Sequence, residues 1–270
     1  MHVTIQTILD LVDGIAPFSL AEDWDNSGLQ AGEMNWPADK VLVALDPSME
    51  VIQAAVLWQA NVVVTHHPLM IRPVKQIEFD KMPGRVVMAC ATNKISIVSA
   101  HTNLDKAENG LNDLFADIVG FKTLKPFLPH SPSETERMAG IGRQGELSDP
   151  LPLGELAGLI GKKLNCTGIR TAGEKQSVPR SAVVCTGSGG SLTSAFLKSD
   201  ADVFITGDMK YHEARDIEQA GKLLIDVGHF ASEHIAIALM VERLDRAAAQ
   251  AGIELSVKGF EKETDPFTAV

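Results

Sequence analysis

Val62-Val63-Val64-Thr65-His66-His67-Pro68 is an apolar, β-branched run that stops abruptly at two histidines and a proline. The same design recurs three times. Ile95 to Ala100 runs into His101, with Asp105 four residues on. Val203-Phe204-Ile205-Thr206 runs into Gly207-Asp208. Leu223-Leu224-Ile225 runs into Asp226-Val227-Gly228-His229, with Glu233 four residues further. Open α/β sheets bind ligands in the crevice outside the carboxyl ends of their strands. A chain that repeatedly sets imidazole and carboxylate there is expected to build a metal site.

Working outward, strand and helix patterns alternate. Residues 3–13 read as a helix, 40–45 as a strand, 48–59 as a helix and 61–65 as a strand. A helix over 84–92, a strand over 95–100 and a helix over 109–119 complete a first α/β lobe, residues 1–125. Such alternation predicts parallel strands joined by right-handed crossovers. Lys125-Pro126-Phe127-Leu128-Pro129-His130-Ser131-Pro132-Ser133 is rich in Pro and Ser and reads as a linker or long loop. The second α/β lobe is expected over 126–270, with a discontinuous C-terminal contribution to the first allowed for. Its strands are predicted at 138–147, 182–186, 202–206, 222–225 and 252–257. Its helices are predicted at 153–164, 191–198, 211–220 and 232–249. His101-x-x-x-Asp105 and His229-x-x-x-Glu233 share one spacing, and Thr65-His66-His67 corresponds to Thr206-Gly207-Asp208. The two similar lobes read as a duplication, although βαβ folds are self-similar in any case.

Composition narrows the function. The 270 residues carry 24 Lys and Arg against 35 Asp and Glu, a formal charge of -11. Without a basic cluster, duplex nucleic acid and anionic membranes are poor partners. No run of about 18 apolar residues suggests a transmembrane helix, and Met1 to Gln6 lacks the pattern of a signal peptide. Cys90, Cys166 and Cys185 are scattered and form no C-x-x-C motif. They read as small buried residues, and the chain as a cytoplasmic protein.

Each constellation admits a bland reading beside the chemical one. His66 and His67 are adjacent at a strand end, where Pro68 biases His67 to extended geometry. They suit neighbouring metals, or they are ordinary surface or core histidines. Asp105 would sit beside the strand end at His101, or it caps a turn that Asn103 favours. Glu233 would face the same site, or it compensates the N-terminal dipole of a helix starting near Ser232. Asp208, Lys210 and His212 suit contacts behind the metal ligands or to substrate, or a polar loop. Gly187-Ser188-Gly189-Gly190-Ser191 could cradle phosphate, yet it lacks the known phosphate-loop motifs and also reads as a tight turn.

Five blocks then resemble one family in order. They are Trp24-Asp25-Asn26-Ser27-Gly28-Leu29-Gln30, Val64-Thr65-His66-His67-Pro68-Leu69, Ser99-Ala100-His101-Thr102-Asn103-Leu104-Asp105, Thr206-Gly207-Asp208-Met209-Lys210-Tyr211-His212 and Asp226-Val227-Gly228-His229-Phe230-Ala231-Ser232-Glu233. They look like the Nif-three-like family, often labelled GTP cyclohydrolase 1 type 2 homologues, in its short bacterial form. The resemblance implies two similar α/β lobes with a dinuclear metal site between them. It implies His66, His67, Asp105, His229 and Glu233 as ligands to two divalent ions, from among Zn, Fe, Mn, Co and Ni. Glu233, or else Asp105, is the expected bridge. His101 is expected close behind the ligands, moving a proton. A toroidal homohexamer is implied as well.

Two functions follow from these expectations. The first is a dinuclear metal-dependent hydrolase whose activated water attacks a nucleotide or phosphoester-like small molecule. The second is a non-catalytic metal-binding or regulatory scaffold, akin to a metal chaperone. Five side chains for two ions leave coordination positions open, which favours catalysis.

Overall fold

A computed structural model describes residues 3–130 and 138–268. The chain opens with α1 (Ile5–Ile15), β1 (Gly28–Ala31), β2 (Lys40–Ala44), α2 (Met49–Trp58) and β3 (Val62–Thr65). It continues through α3 (Gly84–Asn93), β4 (Ser96–Ser99), α4 (Thr102–Lys106) and α5 (Leu111–Val119). Next come β5 (Lys125–Pro129), β6 (Gly140–Glu146), α6 (Leu153–Leu164), β7 (Arg170–Ala172) and β8 (Ser181–Ser188). It closes with α7 (Thr193–Lys198), β9 (Val203–Gly207), α8 (Tyr211–Gln219), β10 (Leu223–Asp226), α9 (His229–Glu233), α10 (Ala236–Ala251) and β11 (Ser256–Gly259). Among the described residues no helix is long and apolar enough to cross a membrane.

Contacts divide the chain into two units at places other than residue 125. The first takes in residues up to Ala107 together with Ala236–Glu263, and the second Glu108–Ile235 with the residues from Thr264 on. The physical reason lies in where apolar faces are buried. Phe115, Ala116 and Val119 of α5 enter the core made by Leu153, Leu156, Ile160, Val184, Ile205 and Ile225. At the other end β11 pairs in parallel with β2, and α10 packs on β11.

The first unit is built on a sheet of order β1-β4-β3-β2-β11. β11, β2, β3 and β4 run parallel, and β1 closes the edge antiparallel to β4. All four residues of β3 are buried, as expected of a parallel strand covered on both faces. Val51, Ile52 and Ala55 of α2 and Val86 and Cys90 of α3 pack on Leu42, Val63 and Ile97. Ser48 starts α2 by accepting a hydrogen bond from the Val51 N–H, and Gln59 ends it in the left-handed region.

The second unit has the order β5-β6-β8-β9-β10-β7. β8, β9 and β10 are parallel, and β5, β6 and β7 pair antiparallel. Alternate strand residues serve opposite faces. Val184, Ile205 and Ile225 join α5 and α6, whereas Val183, Phe204 and Leu224 join Phe196 and Ile217 of α7 and α8. Phe204 stacks on Phe196 at 5.2 Å between centroids, and truncating it to Ala should cost about 3–5 kcal/mol. From the antiparallel edge inward the two sheets share one order: β1-β4-β3-β2 and β7-β10-β9-β8.

Two local expectations change. The Pro-rich stretch is not a linker through Pro129, because Lys125–Pro129 forms β5 on the sheet edge, where a missing N–H is tolerated. Residues 131–133 of that stretch lie outside the described residues. The single helix expected over 232–249 is two helices, α9 and α10, so Glu233 ends a helix rather than opening one.

Candidate metal site

In the first unit the ends of β2, β3 and β4 supply the chemistry. His66 and His67 leave β3, and His101 leaves β4 as the residue before α4. One ligand atom from each of His66, His67 and His101 lies within 4.8 Å of the others. Ring centroids are 5.2 Å apart for His66–His67 and for His66–His101, and 5.7 Å for His67–His101. Asp105 comes from α4, a helix where the sequence suggested a turn, and its Oδ1 is 3.8 Å from His66 Nε2. The i, i+4 spacing thus brings the Asp105 carboxylate beside His66.

Each imidazole is oriented through Nδ1. His66 Nδ1 meets the Ala100 carbonyl at 2.9 Å. His67 Nδ1 meets Asp46 Oδ1 at 2.8 Å, and His101 Nδ1 meets Asp25 Oδ1 at 2.7 Å. An oxygen acceptor there holds the proton on Nδ1 and leaves Nε2 with its lone pair, the arrangement typical of metal-binding histidines. Asp25 is itself built in. Its side chain is 0% exposed, and it also accepts from the Thr102 N–H and hydroxyl, the Asn26 N–H and the Ser27 hydroxyl. Burial pushes its carboxyl up, but the hydrogen bonds from His101 and Thr102 outweigh this and hold it well below the usual range. Asp46 is positioned from the far end of the unit, since Glu263 accepts from the Leu45 and Asp46 N–H groups at 2.8 and 2.9 Å.

In the second unit the ends of β9 and β10 converge. His229 Nδ1 meets Asp208 Oδ2 at 2.8 Å, and His229 Nε2 lies 2.9 Å from Glu233 Oε2. Two carboxylates flank one ring, so a neutral imidazole would set its acceptor nitrogen against an acceptor oxygen. A cation resolves that contact, either a proton or a metal ion. Glu233 is buried, and its space is reserved by Gly187: a Cβ there would fall 2.1 Å from Glu233 Oε1. The Gly187 N–H donates to Ser232 Oγ at 2.9 Å, which ties α9 to β8. Asp208 has φ 54, a left-handed conformation that Asp tolerates.

The remaining expected residues divide. Asp208 touches His229, whereas Lys210 and His212 are exposed at the start of α8. The turn at Gly190–Leu192 is a poor phosphate cradle. A Cβ on Gly190 would stand 2.9 Å from a Glu213 carboxylate oxygen, so an anion would meet like charge. Asp25 and Asp46 were missed as participants. Leu45-Asp46-Pro47 is another strand end with a carboxylate, and Asp25 sits in the Trp24–Gln30 block, so both signals were present.

The donor set suits a borderline divalent ion: imidazole nitrogen with carboxylate oxygen, each ring braced by a second acceptor. His66, His67, His101 and Asp105 belong to one unit, and His229 and Glu233 to the other.

Comparison with known proteins places the fold. The protein named GTP cyclohydrolase 1 type 2 homolog of Clostridium acetobutylicum is 31% identical over 267 residues, 99% of each chain. That of Streptomyces coelicolor is 34% identical over 268 residues, 98% of this chain and 94% of its own. The fold matches a Bacillus cereus protein related to NIF3 with a TM-score of 0.92 over 100% of both chains, at 24% identity. The family Duf34/NIF3 (NGG1p interacting factor 3) matches residues 3–266. With two mixed α/β sheets of shared strand order and these relatives along nearly its whole length, the chain belongs to the Duf34/NIF3 family.

Proposed function

We propose that the protein holds two divalent metal ions on these imidazoles and carboxylates, and that it is a metal-dependent hydrolase acting on a nucleotide or phosphoester-like small molecule. The observation that carries this reading is the bracing of all four histidines. Each presents Nδ1 to an oxygen at 2.7–2.9 Å, which suits Nε2 to bind a cation. The relatives named as GTP cyclohydrolase 1 type 2 homologs support a nucleotide-like substrate.

In this reading His66, His67, Asp105, His229 and Glu233 would hold the ions. His101 is braced by Asp25 as His67 is by Asp46, so we assign it a metal-facing nitrogen rather than a proton-transfer role alone. Divalent ions there would acidify a water and neutralise charge on a phosphoryl or carbonyl oxygen. Asp25, Asp46 and Asp208 accept from Nδ1 of His101, His67 and His229, which orients each ring and raises the basicity of its Nε2. Lys210 and His212, exposed near Asp208 in sequence, suit contacts to an anionic substrate.

The test is metal content by elemental analysis on purified wild type, His67→Ala, His101→Ala and Glu233→Ala, followed by turnover of GTP and a nitrophenyl phosphate. Wild type should carry about two ions per chain and hydrolyse one of the probes, and each variant should lose metal and rate together. Full metal content in His67→Ala and Glu233→Ala would overturn the ligand assignment. A metal-replete wild type inert on both probes would favour the scaffold function.

A further inference from the structure

We propose that Trp24 is a stacking platform, and that the ligand of this site carries a planar conjugated ring in addition to the group that meets the metals. The inference rests on the metal reading above and narrows its substrate class. Trp24 is 61% exposed, yet its ring centroid stands only 6.2 Å from that of His101, at an interplanar angle of 79°. The indole therefore stands beside the imidazole cluster, nearly perpendicular to the His101 ring, with most of its surface open to solvent. One small molecule can reach both.

The exposure of this indole is paired with a rigid mount. The next residue, Asp25, is among the most heavily bonded side chains of the unit, with His101, Thr102, Asn26 and Ser27 all donating to it. Asn26 donates to the Met70 carbonyl at 2.8 Å, so the loop is pinned on its other side too. A flexible surface tryptophan would fold down to bury its 150 Å² or more of apolar area, roughly. Here hydrogen bonds to Asp25 and from Asn26 fix the backbone on which it stands. A pre-positioned aromatic face beside a cation-binding cluster fits a ligand with an anionic end and a flat ring. A saturated sugar phosphate would use only the first of these.

Stacking of one base on an aromatic side chain corresponds to about a five- to hundredfold gain in affinity. The experiment compares guanosine monophosphate with ribose 5-phosphate by calorimetry on metal-loaded protein, after metal content is measured. Wild type should bind the nucleotide within that range of preference over the sugar phosphate. Trp24→Phe should keep most of the preference. Trp24→Leu and Trp24→Ala should reduce the ratio to near one while metal content and ribose 5-phosphate affinity stay unchanged. Binding of both probes with no preference in wild type, or a preference that survives Trp24→Ala, overturns the stacking role and leaves the metal reading intact. A wild type that takes up no metal overturns both. Iodide quenching of wild type against Trp24→Phe, which leaves Trp36 and Trp58, tests self-association. A Trp24 signal shielded from iodide at every protein concentration means a second copy covers the ring, and it overturns the proposal.

Discussion

Gly187→Ala isolates the role of one hydrogen atom in the second unit. Gly187 has φ +62, and an added Cβ would stand 2.1 Å from Glu233 Oε1, 3.0 Å from Glu233 Cδ and 3.5 Å from His229 Cε1. Ordinary contact begins near 3.4 Å. The carboxylate must therefore retreat by about an ångström, against a metal-site tolerance of about 0.2 Å. The backbone penalty is separate, about 1–2 kcal/mol for a Cβ in the left-handed region. Gly221→Ala supplies the control, because Gly221 has φ +71 and nothing within 4 Å of the added atom. In urea titrations of metal-free protein Gly187→Ala should lose at least as much stability as Gly221→Ala. Only Gly187→Ala should lose metal affinity, by at least tenfold, in competition with a chelating dye. Equal metal affinity in Gly187→Ala, Gly221→Ala and wild type would refute the assignment of Glu233 as a ligand held in place by the glycine.

Two further outcomes are expected. Asp25→Asn keeps the shape of the side chain but weakens its hold on the His101 Nδ1–H, so metal affinity should fall about ten- to hundredfold with little change in far-ultraviolet circular dichroism. Unchanged affinity would show that His101 needs no bracing. Away from the site, burial pushes the Asp202 carboxyl up, but the N–H groups of Arg180 and Ser181 outweigh it and hold it below its ordinary 3.8. Its stabilisation is therefore complete above that value and lost as pH falls through the lower folded-state value. Urea midpoints between about pH 5 and 2.5 should fall less steeply in Asp202→Asn than in wild type; parallel curves would reject that contribution.

Much of the molecule is readable from local pattern. Leu153–Leu164 is the helix that its apolar spacing predicts, and the strands around Val63, Ile97, Ile205 and Ile225 fall where the β-branched runs fall. The short strands β1 and β7 escaped because they are antiparallel edge strands only four and three residues long, set by pairing to β4 and β10. β5 was hidden by two prolines that only a sheet edge accommodates.

The sequence by itself determined the α/β class and pointed to His66, His67, His101, Asp105, His229 and Glu233 as candidates, because a strand and the residue that ends it are neighbours in the chain. Only the tertiary structure decided how those rings are held. Asp25 meets His101 across 76 residues, and Asp46 meets His67 and Asp208 meets His229 across 21 each. It also decided that α10 and β11 return to the first unit. Both outcomes depend on which strand lies beside which. Strand order follows from apolar area buried across the whole sheet, and no local window of residues encodes it.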